Sequence, residues 1–305
     1  MKKNNSVYIA GHTGLIGSAI HEHFKKKLPE KKIIVINSKN LNLLNQLETF
    51  NFLKKKKPGK VIIAAAKVGG IKANNELRAE FIYENLQIQN NLIHGSFIAG
   101  IKNLFLLGSS CIYPKFCKQP IKEEYLLTGS LEESNDAYAL AKITGIKMCE
   151  HYSKAYNLNY KSLMPPNLYG PNDNYNLQNS HFYPALIKKI HYAKNKNKKN
   201  LIIWGSGKPK RELMFVNDFA DAVIYFMNIN IKEPFLNIGI GKDHSIKWFA
   251  NFIMKKLKVK LKIKYDKSKP DGMFRKCLNI NQAKKYGWKP RNNFDNGFKT
   301  TYQDF

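Results

Sequence analysis

Short apolar runs recur along the first half of the chain, and the segments between them carry helical spacing. The runs fall at 6–10, 32–36, 60–66, 104–107 and 160–164. An amphipathic stretch leads from the first run to about Lys27, a long helical pattern covers Phe81 to Ala99, and another carries Tyr138 and continues to about Tyr156. Strands alternating with helices predict an α/β fold built on a doubly wound parallel sheet.

From Pro165 the rhythm changes. Pro165-Pro-Asn-Leu-Tyr-Gly-Pro171 reads as a rigid loop, and 201–204 as a strand closed by Gly205-Ser-Gly207. A helix over 219–228 follows, then an apolar run at 235–238, a helix near 246–257, a strand near 260–265 and the loop Ser268-Lys-Pro-Asp-Gly272. The expected division is a Rossmann-type domain, 1–164 plus about 212–238. A smaller, discontinuous domain, about 165–211 plus 239–305, should cover the sheet's binding edge.

Composition narrows the class. With 305 residues and 43% hydrophobic content the chain can bury a core. No run approaches a membrane span. Met1-Lys-Lys-Asn-Asn5 resembles a signal n-region, but Gly11-His-Thr-Gly14 soon breaks the apolar stretch behind it. Cysteines 111, 117, 149 and 277 show no metal spacing and no disulfide framework, which favours the cytosol. A net charge of +29 raises nucleic acid as a partner. Only four of the 51 basic residues are Arg, however, and the Lys are scattered or gathered in loop-like runs at 54–57 and 194–199. A Lys-coated enzyme surface that attracts anionic substrates is the better reading.

The first chemical signal is Gly11-His12-Thr13-Gly14-Leu15-Ile16-Gly17, placed between a strand and a helix. That is the context of a dinucleotide fingerprint, with glycines for close backbone approach and a helix N-terminus for the pyrophosphate. After the second run stands Asn37-Ser38-Lys39, where an acid would hold a ribose hydroxyl. Its absence, and Lys39, favour NADPH over NADH.

The second signal is the strand end Leu107-Gly108-Ser109-Ser110-Cys111. Ligands of open parallel sheets bind beyond such ends. Tyr138 and Lys142, four apart on a helix, supply a phenol with an ammonium expected to lower its pKa from about 10. Tyr-x-x-x-Lys occurs also at Tyr192 and Tyr265, and only context selects Tyr138. Cys111 and His181 are a further candidate pair.

These features resemble the extended short-chain dehydrogenase/reductases. Longer strings are similar to one family within them, the GDP-4-keto-6-deoxymannose 3,5-epimerase-4-reductases, or GDP-L-fucose synthases. They are Ala64-Ala-Ala-Lys-Val-Gly-Gly-Ile71, Leu107-Gly-Ser-Ser-Cys-Ile-Tyr-Pro-Lys115, Tyr138-Ala-Leu-Ala-Lys-Ile-Thr-Gly-Ile-Lys147, Asn167-Leu-Tyr-Gly-Pro171, Asn179-Ser-His181, Trp204-Gly-Ser-Gly207 and Ser268–Gly272.

The resemblance implies an NADPH enzyme acting on a GDP-linked 4-keto-sugar, with no metal. Cys111 would be the epimerisation base and His181 the acid. Ser109 and Tyr138 would hold the oxyanion, Tyr138 would protonate O4, and Lys142 would bind the nicotinamide ribose. It adds Leu107, Gly108, Ser109 and Ser110 at the strand end, Pro165, Pro166, Asn167 and Leu168 in the loop, and His181 to the cofactor site. Lys189, Trp204, Arg211 and Asp271 would hold the GDP-sugar. It also implies a homodimer through the Tyr138 helix and its neighbour. The chain departs from the family at Pro166, where Thr is usual, at Thr13 and Ser38, where some members have Arg, and at Lys189, a usual Arg. A C4-reductase of a GDP-4-keto-heptose therefore stays open. A non-catalytic NADP-binding regulator would have no need of the Ser-Cys-Tyr-Lys-His set.

Overall fold

The computed structural model describes residues 5–177, 180–269 and 271–305. Residues 1–4, with Asn179 and Pro270 from the strings above, lie outside the described residues. Strands β1 (Val7–Ala10), β2 (Ile33–Ile34), β3 (Lys60–Ile63), β4 (Asn103–Leu107) and β5 (Asn159–Met164) alternate with helices. The helices are α1 (Leu15–Lys25), α2 (Gln46–Lys56), α3 (Ile71–Glu76), α4 (Arg78–Ile98) and α5 (Asp136–Tyr156). The chain continues through β6 (Asn167–Tyr169), α6 (Phe182–Asn195), β7 (Asn200–Trp204), β8 (Lys210–Arg211), β9 (Leu213–Phe215) and α7 (Val216–Phe226). It ends with β10 (Phe235–Asn237), β11 (His244–Ser245), α8 (Ile246–Lys256), β12 (Lys262–Asp266), β13 (Arg275–Lys276), α9 (Asn281–Lys285) and α10 (Phe294–Asp304).

The main sheet has six parallel strands in the order β2-β1-β3-β4-β5-β10. Its strands read as unbroken apolar runs because both faces are covered. Successive side chains point to opposite faces. Val7, Ile9, Ile62 and Phe105 therefore enter one core with Ile20 and Phe24 of α1 and Phe219 and Val223 of α7. Tyr8, Val61, Ile63, Leu104 and Leu106 enter the other, with Leu53 of α2, Leu92 of α4 and Ile146 of α5. The strand order reverses between β1 and β3, so the binding crevice of such a sheet opens at their carboxyl ends.

Two expected strands are shorter than their apolar runs. The run 32–36 contributes only Ile33 and Ile34, since β1 pairs this edge strand solely through Val7 and Tyr8. The run 60–66 leaves its ladder after Ile63, where the Ala65 backbone is pressed against Gly11. The helix expected over 219–228 begins earlier, at Val216.

Beyond β5 the strands other than β10 form small sheets. β8 lies between β11, antiparallel, and β13, parallel, while β7 pairs with β12 and β6 with β9. A third core gathers Tyr183, Leu186 and Ile190 of α6, Leu201 and Ile203 of β7, and Phe249 and Ile253 of α8. No helix among the described residues is long and apolar enough to cross a membrane.

Candidate active site

The glycine turn joins β1 to α1. Gly11 has φ +83°, and a Cβ there would meet the Ala65 nitrogen at 2.5 Å. A Cβ on Gly17 would meet the Gly11 carbonyl oxygen at 2.0 Å. These two glycines let the turn close against β3 and α1. Gly14 is different: it is exposed, and its nearest neighbour to a Cβ is 3.8 Å away. It is also the N-cap of α1 and offers no side-chain cap, so the first N–H groups of the helix point outward unpaired by a side chain. A helix start left this way accepts an anion such as a pyrophosphate. The site therefore fits a dinucleotide. Leu15 and Ile16 pack on the core behind the turn, Thr13 is exposed, and the His12 ring meets His21 edge-on at 5.8 Å. Lys39 lies in an exposed turn after β2.

At the end of β4 the backbone stays zipped to the next segment. Gly108 N–H donates to the Leu163 carbonyl and Ser110 N–H to the Pro165 carbonyl, both at 3.0 Å. Ser109 is extended and caps a short 3-10 turn, Ser110–Ile112, its Oγ accepting the Cys111 N–H at 3.2 Å. Small buried residues on α5, Ala139, Ala141 and Gly145, let that helix lie close. Lys142, 3% exposed, thereby reaches the Leu107 carbonyl and donates to it at 2.9 Å. Burial draws its ammonium down to about 8.

Tyr138 sits one turn earlier, with Lys142 Nζ 5.7 Å from its ring centre. The lowering of the phenol pKa expected from Lys142 is not what the structure gives. Burial pushes Tyr138 above its ordinary value, and the neighbouring Cys111 acts in the same direction. The phenol is thus held protonated, as a proton donor must be.

Cys111 is surrounded by donors. Lys276 Nζ lies 3.2 Å from its Sγ and Asn135 Nδ2 3.4 Å. Burial alone would raise the thiol, but Lys276, the Ser109 side chain and Arg211 outweigh it, and the net shift is downward. Arg211 and Lys276 are direct partners in the β8–β13 ladder, so two cations arrive together. His181 precedes α6 as its N-cap and is open to solvent. The protein crowding around it, and then Lys276, draw its imidazole below the usual value.

The remaining candidates form a shelf on the smaller sheets. Trp204 is half exposed, with Lys189 Nζ 5.1 Å and Lys269 Nζ 5.8 Å from its ring centre. Asp271 accepts from Ser206 N–H at 2.6 Å and Ser206 Oγ at 2.7 Å, bonds that lower its carboxyl pKa. Arg211 lies between, interacting electrostatically with both Cys111 and Asp271.

The structure thus gathers Ser109, Cys111, Tyr138 and Lys142 at one strand end, brings Lys276 and its ladder partner Arg211 to them, and sets His181 at the start of α6. Pro165, Pro166, Leu107 and Leu168 are buried. Pro166 and Asn167 still line a narrow crevice with Ser110, Arg211, Glu212 and Lys276. Asn135, Glu212 and Lys276 were not singled out from sequence. Glu212 accepts N–H bonds from Ile240, Gly241 and Leu278 at 2.6–2.8 Å and so fixes the strands that carry Arg211 and Lys276. A single Lys carries no signal where Lys and Arg number 51.

Comparison with known proteins agrees with this geometry. The model of the NAD dependent epimerase/dehydratase family matches residues 7–239. A GDP-L-fucose synthase of Sinorhizobium fredii is 45% identical over 98% of this chain and 95% of its own length. Among solved structures, a GDP-6-OMe-4-keto-L-xylo-heptose reductase from C. jejuni is 33% identical, with TM-score 0.92 over 99% of this chain and 98% of the other. A GDP-mannoheptose C4 reductase from Campylobacter jejuni with NADP bound is 36% identical, with TM-score 0.89 and the same coverage. With a glycine cradle, a Ser-Tyr-Lys strand end and a relative this similar over nearly its whole length, the chain belongs to the NAD dependent epimerase/dehydratase family and, within it, to the family of the GDP-L-fucose synthases.

Proposed function

We propose that the protein converts a GDP-4-keto-6-deoxy-hexose by 3,5-epimerisation followed by 4-reduction, using NADPH. The observation that carries this reading is Cys111. An enzyme that only reduces a ketone needs Ser109, Tyr138 and Lys142. It does not need a thiol drawn below its ordinary pKa in the same turn as Ser109.

A ketone at C4 acidifies the hydrogens at C3 and C5. Cys111, as thiolate, removes such a proton, and His181 returns one from the other face. Ser109 and the protonated Tyr138 donate to the enolate oxygen, the kind of preorganised donor pair that contributes most to such steps. NADPH, when bound, would supply a hydride for C4; residues 11–17 would hold it and Lys39 would meet its 2′-phosphate. Tyr138 gives O4 its proton, and Lys142, tied to the Leu107 carbonyl, is placed for the nicotinamide ribose. Trp204 and Lys189 form the shelf for the nucleotide base, and Arg211 faces the diphosphate. Asp271 supports that shelf through Ser206. On this reading residues 1–164 with about 212–238 serve the cofactor, and the remainder serves the GDP-sugar.

Incubation with GDP-4-keto-6-deoxymannose and NADPH in deuterated water tests the reading. NADPH oxidation with deuterium at both C3 and C5 of the product is expected. Oxidation without deuterium favours the second reading, C4 reduction of a GDP-4-keto-heptose. That reading draws support from Pro166 in the crevice beside Arg211 and from the heptose reductases among the similar structures.

The protein is further proposed to be a cytoplasmic homodimer. Tyr83 and Ile98 on α4 and Leu140 and Tyr156 on α5 are exposed apolar residues on two neighbouring helices. The four cysteines are free thiols, as in a reducing compartment. Light scattering after gel filtration distinguishes a dimer from a monomer.

A further inference from the structure

We propose that Lys276 is the positioning residue that readies Cys111 for epimerisation, and that hydride transfer to C4 does not depend on it. The inference deepens the epimerase reading above and rests on it.

Lys276 lies on β13, directly across the ladder from Arg211, and its ammonium is 3.2 Å from the Cys111 sulfur. No other cation is recorded at hydrogen-bond distance from that sulfur among the described residues. The groups facing the thiol are Lys276 from β13, Arg211 from β8, Asn135 before α5, Tyr138 on α5 and Ser109 in its own turn.

The Lys276 ammonium stabilises the thiolate and so favours the form of Cys111 that can accept a proton. In the step, the C–H bond breaks, an S–H bond forms on Cys111 and the electron pair moves to the O4 enolate. An N–H bond of His181 then breaks as the new C–H bond forms on the opposite face, and solvent exchange restores both groups. Lys142 lies over the Tyr138 ring and donates to the Leu107 carbonyl, so the reductase pair is held by partners other than Lys276.

The test compares wild type with Lys276→Met, Lys276→Gln and Lys276→Arg, each checked for folding by thermal melting. Alkylation of Cys111 by iodoacetamide is followed across pH by peptide mass spectrometry, with glutathione alkylated in parallel as the reference thiol. The midpoint is expected to rise by about one pH unit or more in the Met and Gln variants and to stay near wild type in Arg. Deuterium wash-in at C3 and C5 should fall about 100-fold in Met and Gln. NADPH oxidation with an already epimerised keto-sugar should keep its kcat. An unchanged alkylation midpoint in a folded Met or Gln variant overturns the proposal, as does equal loss of wash-in and reduction. If wild type itself gives no wash-in, the epimerase reading fails, and the alkylation midpoint alone decides whether Lys276 governs the thiol.

Discussion

Lys142 donates its hydrogen bond to the carbonyl of Leu107, the last residue of β4, at 2.9 Å. The bond ties the middle of α5 to the strand end that carries Ser109. It also makes Lys142 an expensive residue to bury charged. Its folded pKa of about 8 lies below the ordinary lysine value of 10.5, so between these values the unfolded chain binds more protons. Stability from this group therefore rises with pH across that window, and the charged form opposes folding below it. We predict that Lys142→Met loses about 100-fold or more in NADPH oxidation. In melting experiments its stability relative to wild type should be highest at pH 7 and decline by pH 9.5. A pH-independent difference would contradict the burial argument.

Gly14 and Gly17 separate folding from binding. Gly17→Ala would set a methyl 2.0 Å from the Gly11 carbonyl oxygen and should destabilise by about 2 kcal/mol or more. Gly14→Ala meets nothing closer than 3.8 Å and should melt close to wild type. Its methyl would stand in the path of the pyrophosphate, so a fluorescence titration should show weakened NADPH binding.

For Cys111→Ser we expect deuterium wash-in to disappear while reduction of an already epimerised sugar persists. A serine hydroxyl stays protonated beside Lys276 where a thiol ionises. Equal loss of both activities would move Cys111 from acid–base chemistry to substrate positioning.

Glu212 is a buried carboxylate that accepts three backbone N–H bonds. Burial, partly offset by those bonds, pushes it up to about 7 from the ordinary glutamate value of 4.5. The folded state therefore binds more protons between these values, and this contribution to stability is lost as pH rises through them. Glu212→Gln should cost about 1–3 kcal/mol, because one of its accepting oxygens becomes a donor facing N–H groups. The melting gap to wild type should be widest near pH 5 and narrower at pH 8.

Lys39→Ala should raise the KM for NADPH and leave that for NADH unchanged. A parallel change for both cofactors would place the 2′-phosphate elsewhere.

What could be read from the residues was whatever depends on near neighbours in the chain. The glycine turn, the Ser109 cap and the one-turn spacing of Tyr138 and Lys142 are local. The unbroken apolar runs gave the buried strands. The ends of β2 and β3 were not readable, because one is set by how much of β1 it can pair and the other by Gly11 pressing on Ala65. The direction of the Tyr138 shift was missed because spacing shows a nearby charge but not the burial that outweighs it. Lys276 was missed because it reaches Cys111 across 165 residues of sequence, on a two-residue strand without an apolar pattern.

The ladder that carries Lys276 is only two residue pairs long, Lys210 with Arg275 and Arg211 with Lys276. The reductase residues stand on the main sheet and on α5, which are anchored elsewhere. A substitution or insertion that slips this short register by one residue would turn the ammonium away from the sulfur and leave the other machinery in place. The architecture thus contains a separable seam, along which a two-activity enzyme can become a reductase alone without any change to the residues that handle the hydride.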